Sequence, residues 1–567
     1  MKAMKMKRLF SILLIAALAV PVPAIYAQTT TVGRAAAAVS TASSTARGNA
    51  DYITEARMKE HLSFIASDEL EGRDTPSPGL DAAAKYIATH LARWNVKPAG
   101  DDGTYFQRIA LRRSKIDARR TRAEVNGQSF SFGEDLLAQP IPGTASAPLV
   151  FVGKGWMVKS KNLNPYRNID VKDKIVVALG GFPKGLTPID LTGKQGEDWF
   201  NPIDYAQKHG AKGLIYIPSA QALANWPQTR RVTTEFGALQ VEKFIKPNAS
   251  QMPIISVSMR MAEALLQGES RAAMILNRDT RDQAEPFELS LARSVSFTVA
   301  VQAETLWTQN VIGFLEGSDA VLKNEYVAIG AHYDHVGKGL PGEDPTKFPP
   351  KDKNTADVIY NGADDDGSGT VAVLTMAEAF ARHARPKRSI LFIWHCGEEK
   401  GLWGSQYFTE HPTIPLKQII TELNIDMIGR SRPAGDANPA NDKLAKSNEL
   451  FLIGSKMMST ELGELSEAVN RSYLNLSFNY KFDDPRDPEQ YFYRSDHFNY
   501  ARKGIPIIFY MDGDHEDYHR PSDSIEKIDF RQLEKVARTI HATAWELANV
   551  AQRPRVDKPL PPGVAEN

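Results

Sequence analysis

The sequence contains a single cysteine among 567 residues, so no disulfide bond can form within the chain. It also lacks an excess of either charge, because 68 Lys and Arg residues balance 68 Asp and Glu residues. A neutral chain has no basic field to collect phosphate groups, which argues against nucleic acid as a partner. Stability must therefore come from a buried core, with bound metal as the other candidate source.

Apolar runs long enough to cross a membrane are missing as well. Near the N-terminus, Lys2, Lys5, Lys7 and Arg8 precede an apolar run at residues 9–20 and a small-residue region ending near Ala27. This run is well short of the roughly 20 residues that span a bilayer, whereas the whole pattern is typical of a signal peptide. We predict that residues 1–27 are a signal peptide and that the protein is exported, periplasmic or secreted, without a stable membrane anchor.

The two flanking segments have compositions that disfavour a packed fold. Residues 28–50 are dominated by Ala, Ser, Thr and Gly, and residues 553–567 are rich in proline. Such segments bury too little apolar surface to offset the loss of chain entropy. We expect a disordered tether at residues 28–50 and an extended, exposed tail at residues 553–567.

The remaining chain is too long for one compact core, and its patterns divide it in two. Apolar runs at residues 326–331, 389–394, 419–425 and 505–511 alternate with helical patterns. This alternation predicts an α/β fold with a mostly parallel, mixed central sheet and helices on both faces. Residues 130–275 carry shorter strand patterns without a cluster of histidine and carboxylate residues, and they predict a smaller β-rich α/β insert domain.

Histidine and carboxylate residues follow each of the long apolar runs. These residues are His332 and Asp334, then Glu398 and Glu399, then Asp426, and finally Asp514, His515, Asp517 and His519. The carboxyl ends of parallel strands meet at one edge of a sheet, so these side chains should gather there. Nitrogen and oxygen ligands without thiolates suit a pair of zinc, manganese or cobalt ions, whose natural chemistry is hydrolysis.

Taken singly, each motif is also compatible with an ordinary structural role. The aspartate run at residues 364–366 is typical of a turn or helix cap, and a glutamate pair is common at a solvated helix start. Asp426 differs because it directly follows the apolar run at residues 419–425, where a carboxylate needs a partner. The shared edge favours a metal site over independent surface features.

Four motifs stand out at these positions: GAHYDHVG at residues 330–337, NGADDDGSG at 361–369, GEEKGLWGS at 397–405 and NIDM at 424–427. Together they resemble the di-zinc exopeptidases that include bacterial leucyl aminopeptidase and aminopeptidase Y. The segment ASDELEGR at 66–73 adds to the resemblance. The resemblance implies a catalytic domain built from residues 51–118 and 290–552. Within the insert, DVKDKIVV at 170–177 and AQKHGAKGLI at 206–215 resemble a protease-associated domain, assigned to residues 130–275.

The resemblance also implies a metal-ligand set for two Zn²⁺ ions per chain, other divalent ions being possible. His332 and Asp426 would hold one ion, Glu399 and His519 the other, and Asp365 would bridge both. His519 is preferred to His515 because YHRPSD at 518–523 resembles the final ligand segment of the family. Supporting roles, in place of ligation, are expected for His335, His497 and His515.

Further residues take roles around the metals by the same resemblance. Asp334 would accept the ring N–H of His332 without binding metal. Glu398 would be the general base, taking a proton from the attacking water and passing it to the leaving amine. Tyr493 and Arg494 would contact the substrate and stabilise its oxyanion.

The predicted function is that of a metallo-aminopeptidase, which hydrolyses N-terminal residues from peptides with a water activated by two zinc ions. A carboxypeptidase of the same fold is the first alternative, although it would need an arginine cluster where only Arg430 and Arg494 lie near the motifs. The second is a binding protein that kept the fold and lost its metal, which the complete ligand set disfavours. Fold alone does not decide between these reactions, and the sequence specifies neither the preferred residue nor the oligomeric state.

Overall fold

The computed structural model describes residues 47–187, 190–245, 252–277, 279–290, 294–339 and 357–559. The predicted signal peptide, residues 1–27, lies outside this part of the chain. Among the described residues, no helix combines the length and apolar character needed to cross a membrane.

The strands of the described residues are numbered along the chain. They are β1 (Lys97–Pro98), β2 (Phe106–Ile116), β3 (Arg122–Val125), β4 (Gln128–Ser131), β5 (Leu136–Ala138), β6 (Gly143–Ser146), β7 (Leu149–Phe151), β8 (Met157–Val158), β9 (Ile175–Leu179), β10 (Trp199–Phe200), β11 (Gly213–Ile217), β12 (Ala238–Val241), β13 (Ile254–Val257), β14 (Phe287–Glu288), β15 (Val295–Val299), β16 (Val301–Leu315), β17 (Tyr326–His332), β18 (Ser389–His395), β19 (Ile419–Ile425), β20 (Glu449–Ile453), β21 (Ser477–Asn479) and β22 (Ile507–Met511).

The α-helices of the same residues are α1 (Glu55–Ile65), α2 (Pro78–Arg93), α3 (Pro202–Lys208), α4 (Ala220–Ala224), α5 (Trp226–Arg231), α6 (Met259–Leu266), α7 (Ala272–Leu276), α8 (Gly369–Ala381), α9 (Trp403–Glu410), α10 (Ser455–Met458), α11 (Thr460–Ser472), α12 (His497–Ala501) and α13 (Phe530–Asn549). Side-chain caps fix several helix starts. Ser77 accepts the backbone N–H of Leu80 at the start of α2, and Asp529 accepts that of Gln532 at the start of α13.

The main sheet confirms the predicted mixed α/β fold. Its strand order is β12-β2-β16-β18-β17-β19-β22-β20-β21, with β1 beside β16. The central strands β18, β17, β19 and β22 run parallel, whereas β16 and β20 pair antiparallel at either side of them. All four central strands therefore end at the same edge of the sheet.

Helices cover both faces of this sheet, as the alternation of strand side chains shows. On β18, Phe392 and Trp394 enter a core cluster that contains residues of α1, α2, α8 and α13. Leu391 and Ile393, which alternate with them, enter a cluster on the other face with residues of α9, α10 and α12. Because both faces are buried, the strand reads as a continuous apolar run in the sequence.

Residues 122–299 build separate sheets, a wider span than the predicted insert at residues 130–275. One sheet has the order β14-β7-β9-β11-β13-β5, and an antiparallel sheet has the order β4-β3-β15-β6. The strand β12 lies within this span but returns to the main sheet, where Ala238 pairs with Ser114 of β2. The insert is therefore tied to the main sheet by backbone pairing at that edge.

Parts of both flanking segments contact the rest of the fold. Residues 28–46 of the predicted tether lie outside the described residues, and most of residues 553–559 in the predicted tail are exposed. At the end of the predicted tether, Ala50 is buried and the carbonyl of Gly48 accepts a hydrogen bond from the ring of His541. In the predicted tail, Pro554 is buried and Val556 packs against the core beside α10 and α12. Composition alone missed these contacts because a few anchoring side chains suffice to hold a short segment.

Candidate metal centre and active site

The predicted site residues meet at the carboxyl edge of the four parallel strands. His332 is the last residue of β17, and Asp426 directly follows β19. Glu398 and Glu399 lie in the turn between β18 and α9, and His519 lies in the loop after β22. The shared strand direction thus brings together residues that are almost 200 positions apart in the sequence.

Asp365 stands between two histidines. Its Oδ1 atom is 3.3 Å from His332 Nε2, which is also 3.5 Å from Asp426 Oδ1. Its Oδ2 atom is 3.1 Å from His519 Nε2, which is 3.0 Å from Glu399 Oε2. Each oxygen of Asp365 therefore faces a different group of donors, as a carboxylate shared by two metal ions would.

The donor atoms fit divalent metal ions. Two groups have ligand atoms within 4.8 Å of one another, namely His332 with Asp365 and Asp426, and His335 with Asp365, Glu399 and His519. Within these groups Asp365 Oδ2, Glu399 Oε1 and His519 Nε2 are buried without a hydrogen-bond partner. Burying such atoms is costly unless a cation neutralises them, and nitrogen and oxygen donors suit zinc.

The aspartates flanking Asp365 fix the backbone of this loop. Asp366 accepts the backbone N–H groups of His332, Met427 and Gly369, and it thereby connects β17, the loop after β19 and α8. Asp364 accepts the backbone N–H of Gly429. The run of three aspartates thus contains one residue that faces the histidines and two that hold the loop.

The ring of His332 has a different partner from the predicted one. Its Nδ1 atom lies 3.1 Å from the backbone carbonyl oxygen of Asp334, whereas the Asp334 carboxylate is 3.7 Å away, beyond hydrogen-bond range. That carboxylate accepts the backbone N–H of Glu398 at 3.2 Å. The carbonyl of Asp334 therefore orients the imidazole, and its side chain anchors the turn that carries Glu398.

Glu398 lies beside the donor groups without joining either of them. Its Oε2 atom is 4.0 Å from His332 Nε2, and its side chain is 12% exposed. Burial raises the pKa of the Glu398 carboxyl well above its usual value; His332 opposes this, and Glu399 and Asp426 reinforce it. A carboxylate with a raised pKa, next to the donors and open to the cavity, suits proton transfer.

The cavity above these residues includes one of the two predicted substrate contacts. Its lining residues are His332, Asp365, Glu398, Asp426, Met427, Tyr491, Arg494, Ser495, Phe509, Met511, Asp514 and Tyr518. Arg494 is present as predicted, but Tyr493 packs against Phe492 and Phe498 instead. Tyr491, two positions earlier, and Tyr518, stacked on His519, occupy the cavity wall.

His335, for which the sequence indicated only a supporting role, lies directly beside two candidate metal ligands. The residue is fully buried, and its Nδ1 atom is 2.8 Å from Glu399 Oε1 and 3.7 Å from Asp365 Oδ2. Its position three residues after His332, on the loop leaving β17, was the sequence signal for this placement. By contrast, His515 contacts Asp364 at 3.2 Å, and His497 stacks on Phe509.

Residues 310–544 match peptidase family M28. Aminopeptidase YwaD of Bacillus subtilis strain 168 is 23% identical over 467 residues, which are 79% of this chain and 80% of that protein. Leucine aminopeptidase 1 of Ajellomyces dermatitidis is 30% identical over 237 residues, 40% of this chain and 53% of that protein. The chain thus spans about half the length of this fungal relative.

The fold is shared with a solved structure, the aminopeptidase from Aneurinibacillus sp. strain AM-1. The two are 18% identical, with a TM-score of 0.50, over 90% of this chain and 97% of that one. The family match contains every donor residue of the site, from His332 to His519. The part of the chain that carries the candidate metal centre, residues 310–544, is therefore the part that is similar to peptidase family M28.

Proposed function

We propose that this protein is a metal-dependent aminopeptidase that removes the N-terminal residue of peptides. The observation that carries the proposal is the position of Asp365 between His332 and His519, with Glu398 beside them on the same cavity. A protein that kept only the fold would have no need for a buried group of donors with unpaired atoms. The names of both relatives point to the same activity.

The proposed chemistry assigns a role to each group on the cavity. Zinc bound at this site would lower the pKa of water and polarise the scissile carbonyl. Glu398 takes the proton of the attacking water and delivers it to the leaving amine as the peptide bond breaks. Arg494 and Tyr518 line the cavity and are placed to donate to the carbonyl oxygen as it gains negative charge.

The charges around the cavity favour a free N-terminus over a free C-terminus. Four carboxylates line it, those of Asp365, Glu398, Asp426 and Asp514, against one guanidinium, that of Arg494. Arg430 does not line this wall and pairs with Asp517 at 2.9 Å. An acidic cavity attracts the ammonium group of an N-terminus and repels the carboxylate that a carboxypeptidase must bind.

The same cavity indicates a preference for an apolar first residue. Met427, Phe509 and Met511 form an apolar part of its wall, and all three are buried. An apolar side chain placed there would leave water, whereas a charged one would lose hydration without a partner. We expect leucine, methionine or phenylalanine at the N-terminus to be favoured over lysine or glutamate.

The proposal includes several features beyond the catalytic cavity. It includes two zinc ions per chain, one for each group of donors that shares Asp365. It includes export, because residues 1–27 have the pattern of a signal peptide. It includes a protease-associated insert at residues 130–275, since the segments at 170–177 and 206–215 resemble that domain and lie in a region with sheets of its own.

The test is hydrolysis of a panel of aminoacyl chromogenic amides, compared with N-acetylated amides and with substrates bearing a free C-terminal residue. We expect cleavage limited to free N-termini, fastest for apolar residues, abolished by a chelator and restored by zinc. Activity only on C-terminal substrates would support a carboxypeptidase instead. Two bound metals with no hydrolysis of any substrate would support a binding protein.

A further inference from the structure

His335 occupies a position that no supporting role requires. Its side chain is fully buried, and neither ring nitrogen has a hydrogen-bond partner. Its Nδ1 atom lies 2.8 Å from Glu399 Oε1 and 3.7 Å from Asp365 Oδ2. A buried imidazole with two unpartnered nitrogens is costly, so its environment must contain something that the protein atoms alone do not supply.

The contact between His335 and Glu399 is short without being a hydrogen bond. The two atoms are 2.8 Å apart, yet the contact does not meet hydrogen-bond geometry. His519 behaves in the same way, with Nε2 at 3.0 Å from Glu399 Oε2 and no hydrogen bond. Both rings thus place a nitrogen within 3.7 Å of oxygens of Asp365 and Glu399, as ligands that share one ion would.

The backbone is shaped to place this ring. The N–H of His335 donates to the carbonyl of Arg73 at 3.2 Å, which fixes the loop that leaves β17. Gly362 lies against the ring, and a Cβ atom at that position would come within 2.6 Å of it. The absence of a side chain at Gly362 therefore gives His335 the space to approach Glu399 and Asp365.

We propose that His335 is a direct metal ligand through Nδ1, so that His335, Asp365, Glu399 and His519 together hold one ion. This inference rests on the proposed function and deepens it. The other ion, held by His332, Asp365 and Asp426, then has three protein ligands. The two metal sites therefore differ in their number of protein ligands. Four ligands are typical of a closed site that holds zinc tightly, whereas three leave a position for water or substrate.

This difference in ligand number determines the order in which the two sites bind and lose metal. The site with His335 fills first when zinc is scarce and empties last when a chelator is added. The site with His332 and Asp426, which has the open position, exchanges its metal more readily. A protein with one equivalent of zinc should therefore carry it between His335 and His519.

The decisive experiment is a crystal structure of the full-length wild-type protein loaded with zinc, with anomalous diffraction collected on both sides of the zinc edge. We expect zinc at about 2.0–2.1 Å from His335 Nδ1. With one equivalent of zinc, the anomalous peak should lie at this site. The inference is overturned if Nδ1 stays beyond ~3 Å from the metal and hydrogen-bonds to Glu399, since metal–nitrogen bonds are much shorter.

Solution measurements give an independent readout. In a competition titration with a chromophoric chelator, His335→Ala and His335→Gln should weaken one of the two zinc sites by more than about 100-fold, the upper end for partners that only orient a ligand. His61→Ala, which removes a buried histidine on α1 that contacts Tyr86, is the matched control and should leave both sites unchanged. Unchanged affinities in both His335 variants would overturn the inference.

These results separate this inference from the proposed function. Wild-type protein that binds no zinc and hydrolyses no peptide would refute both. Wild-type protein that binds two zinc ions and cleaves N-terminal residues, with His335 away from the metal, would refute only the inference about His335.

Discussion

Asp523 holds the backbone of Asp365 in place. Its Oδ2 atom accepts the backbone N–H of Asp365 at 3.1 Å, and it also accepts that of the preceding residue, Asp364, at 3.0 Å. Asp523 is fully buried, four residues after His519. The segment that carries one candidate ligand therefore also positions the carboxylate that lies between the two histidines.

This relationship predicts that Asp523→Asn impairs the site without altering any ligand. The amide keeps one acceptor oxygen but places an NH₂ group in the other position, where it faces the backbone N–H of Asp364, so the loop around Asp365 would shift. We expect metal affinity and kcat/KM to fall by about 10–100-fold, the usual effect of removing a partner that orients a ligand. Chelator competition and steady-state kinetics measure both quantities.

The matched control is Asp529→Asn, six residues further along. Asp529 caps α13, and asparagine is an equally good cap, so this variant should keep its metal affinity and activity. Equal behaviour of the two variants would show that Asp523 does not position Asp365.

A second prediction separates the adjacent residues Glu398 and Glu399. Glu398→Gln should retain both metal ions and lose activity, because an amide cannot take the proton of the attacking water. We expect kcat to fall by a factor on the order of 10²–10⁴, the usual contribution of a general base. Elemental analysis of the purified variant and its turnover of an aminoacyl amide provide the measurement.

Glu399→Gln is the comparison, because Glu399 contacts His519 and His335. It should lose both metal and activity. Near-wild-type turnover by Glu398→Gln with its metal retained would exclude Glu398 as the base.

The sequence predicted the central sheet well because its strands are buried on both faces. The run at residues 419–425 coincides with β19, and the run at 389–394 ends one residue before β18 does. Mostly apolar runs of this length between helical patterns are typical of strands covered on both sides. The same logic placed His332 and Asp426 at one edge, where the structure has them.

The parts that sequence reasoning missed depend on loops and on single side chains. Tyr493 and Tyr491 lie in one turn, and their spacing did not reveal which ring enters the cavity. His335 lies on an irregular segment, so no periodicity indicated its direction. The pairing of β3 with β15 was not predictable either, because these strands are about 170 residues apart in the sequence and meet only in the fold.

A third prediction concerns Arg73, whose buried guanidinium connects the loops that carry the site. It donates to the carbonyl groups of Ile65, Tyr333, Asn361 and Gly362. Arg73→Met would leave these acceptors unpaired. Hydrogen bonds to a charged group are worth about 1.5–3 kcal/mol each, and we expect the free energy of unfolding to fall by roughly 3–5 kcal/mol in total.

Denaturant titration of the metal-free proteins measures this loss. Arg93→Met, at an exposed position on α2, is the control and should change stability by less than about 0.5 kcal/mol. A similarly small change in Arg73→Met would show that water or neighbouring groups satisfy the four carbonyls.

The last prediction concerns His541, a fully buried histidine on α13 whose ring packs on Phe380. Burial is the main cause that lowers its pKa to about 4, with His383 acting in the same direction and the carbonyl of Gly48 opposing. A histidine in the unfolded chain titrates near 6.5. Between these two pH values the unfolded state binds the proton more strongly than the folded state does. The contribution of His541 to the free energy of unfolding is therefore fully present above about pH 6.5 and is lost as the pH falls toward 4.

The lowered pKa of His541 corresponds to about 3 kcal/mol of unfolding free energy, since each pKa unit is worth about 1.36 kcal/mol. His541→Gln keeps a donor for the Gly48 carbonyl but carries no titrating group. The difference in unfolding free energy between wild type and this variant should therefore shrink by about 3 kcal/mol from pH 7 to pH 4. Because the substitution leaves every candidate ligand unchanged, loss of metal at low pH should affect both proteins alike and cancel in this difference. Parallel stability curves for the two proteins would mean that His541 becomes protonated in the folded state at the same pH as in the unfolded chain.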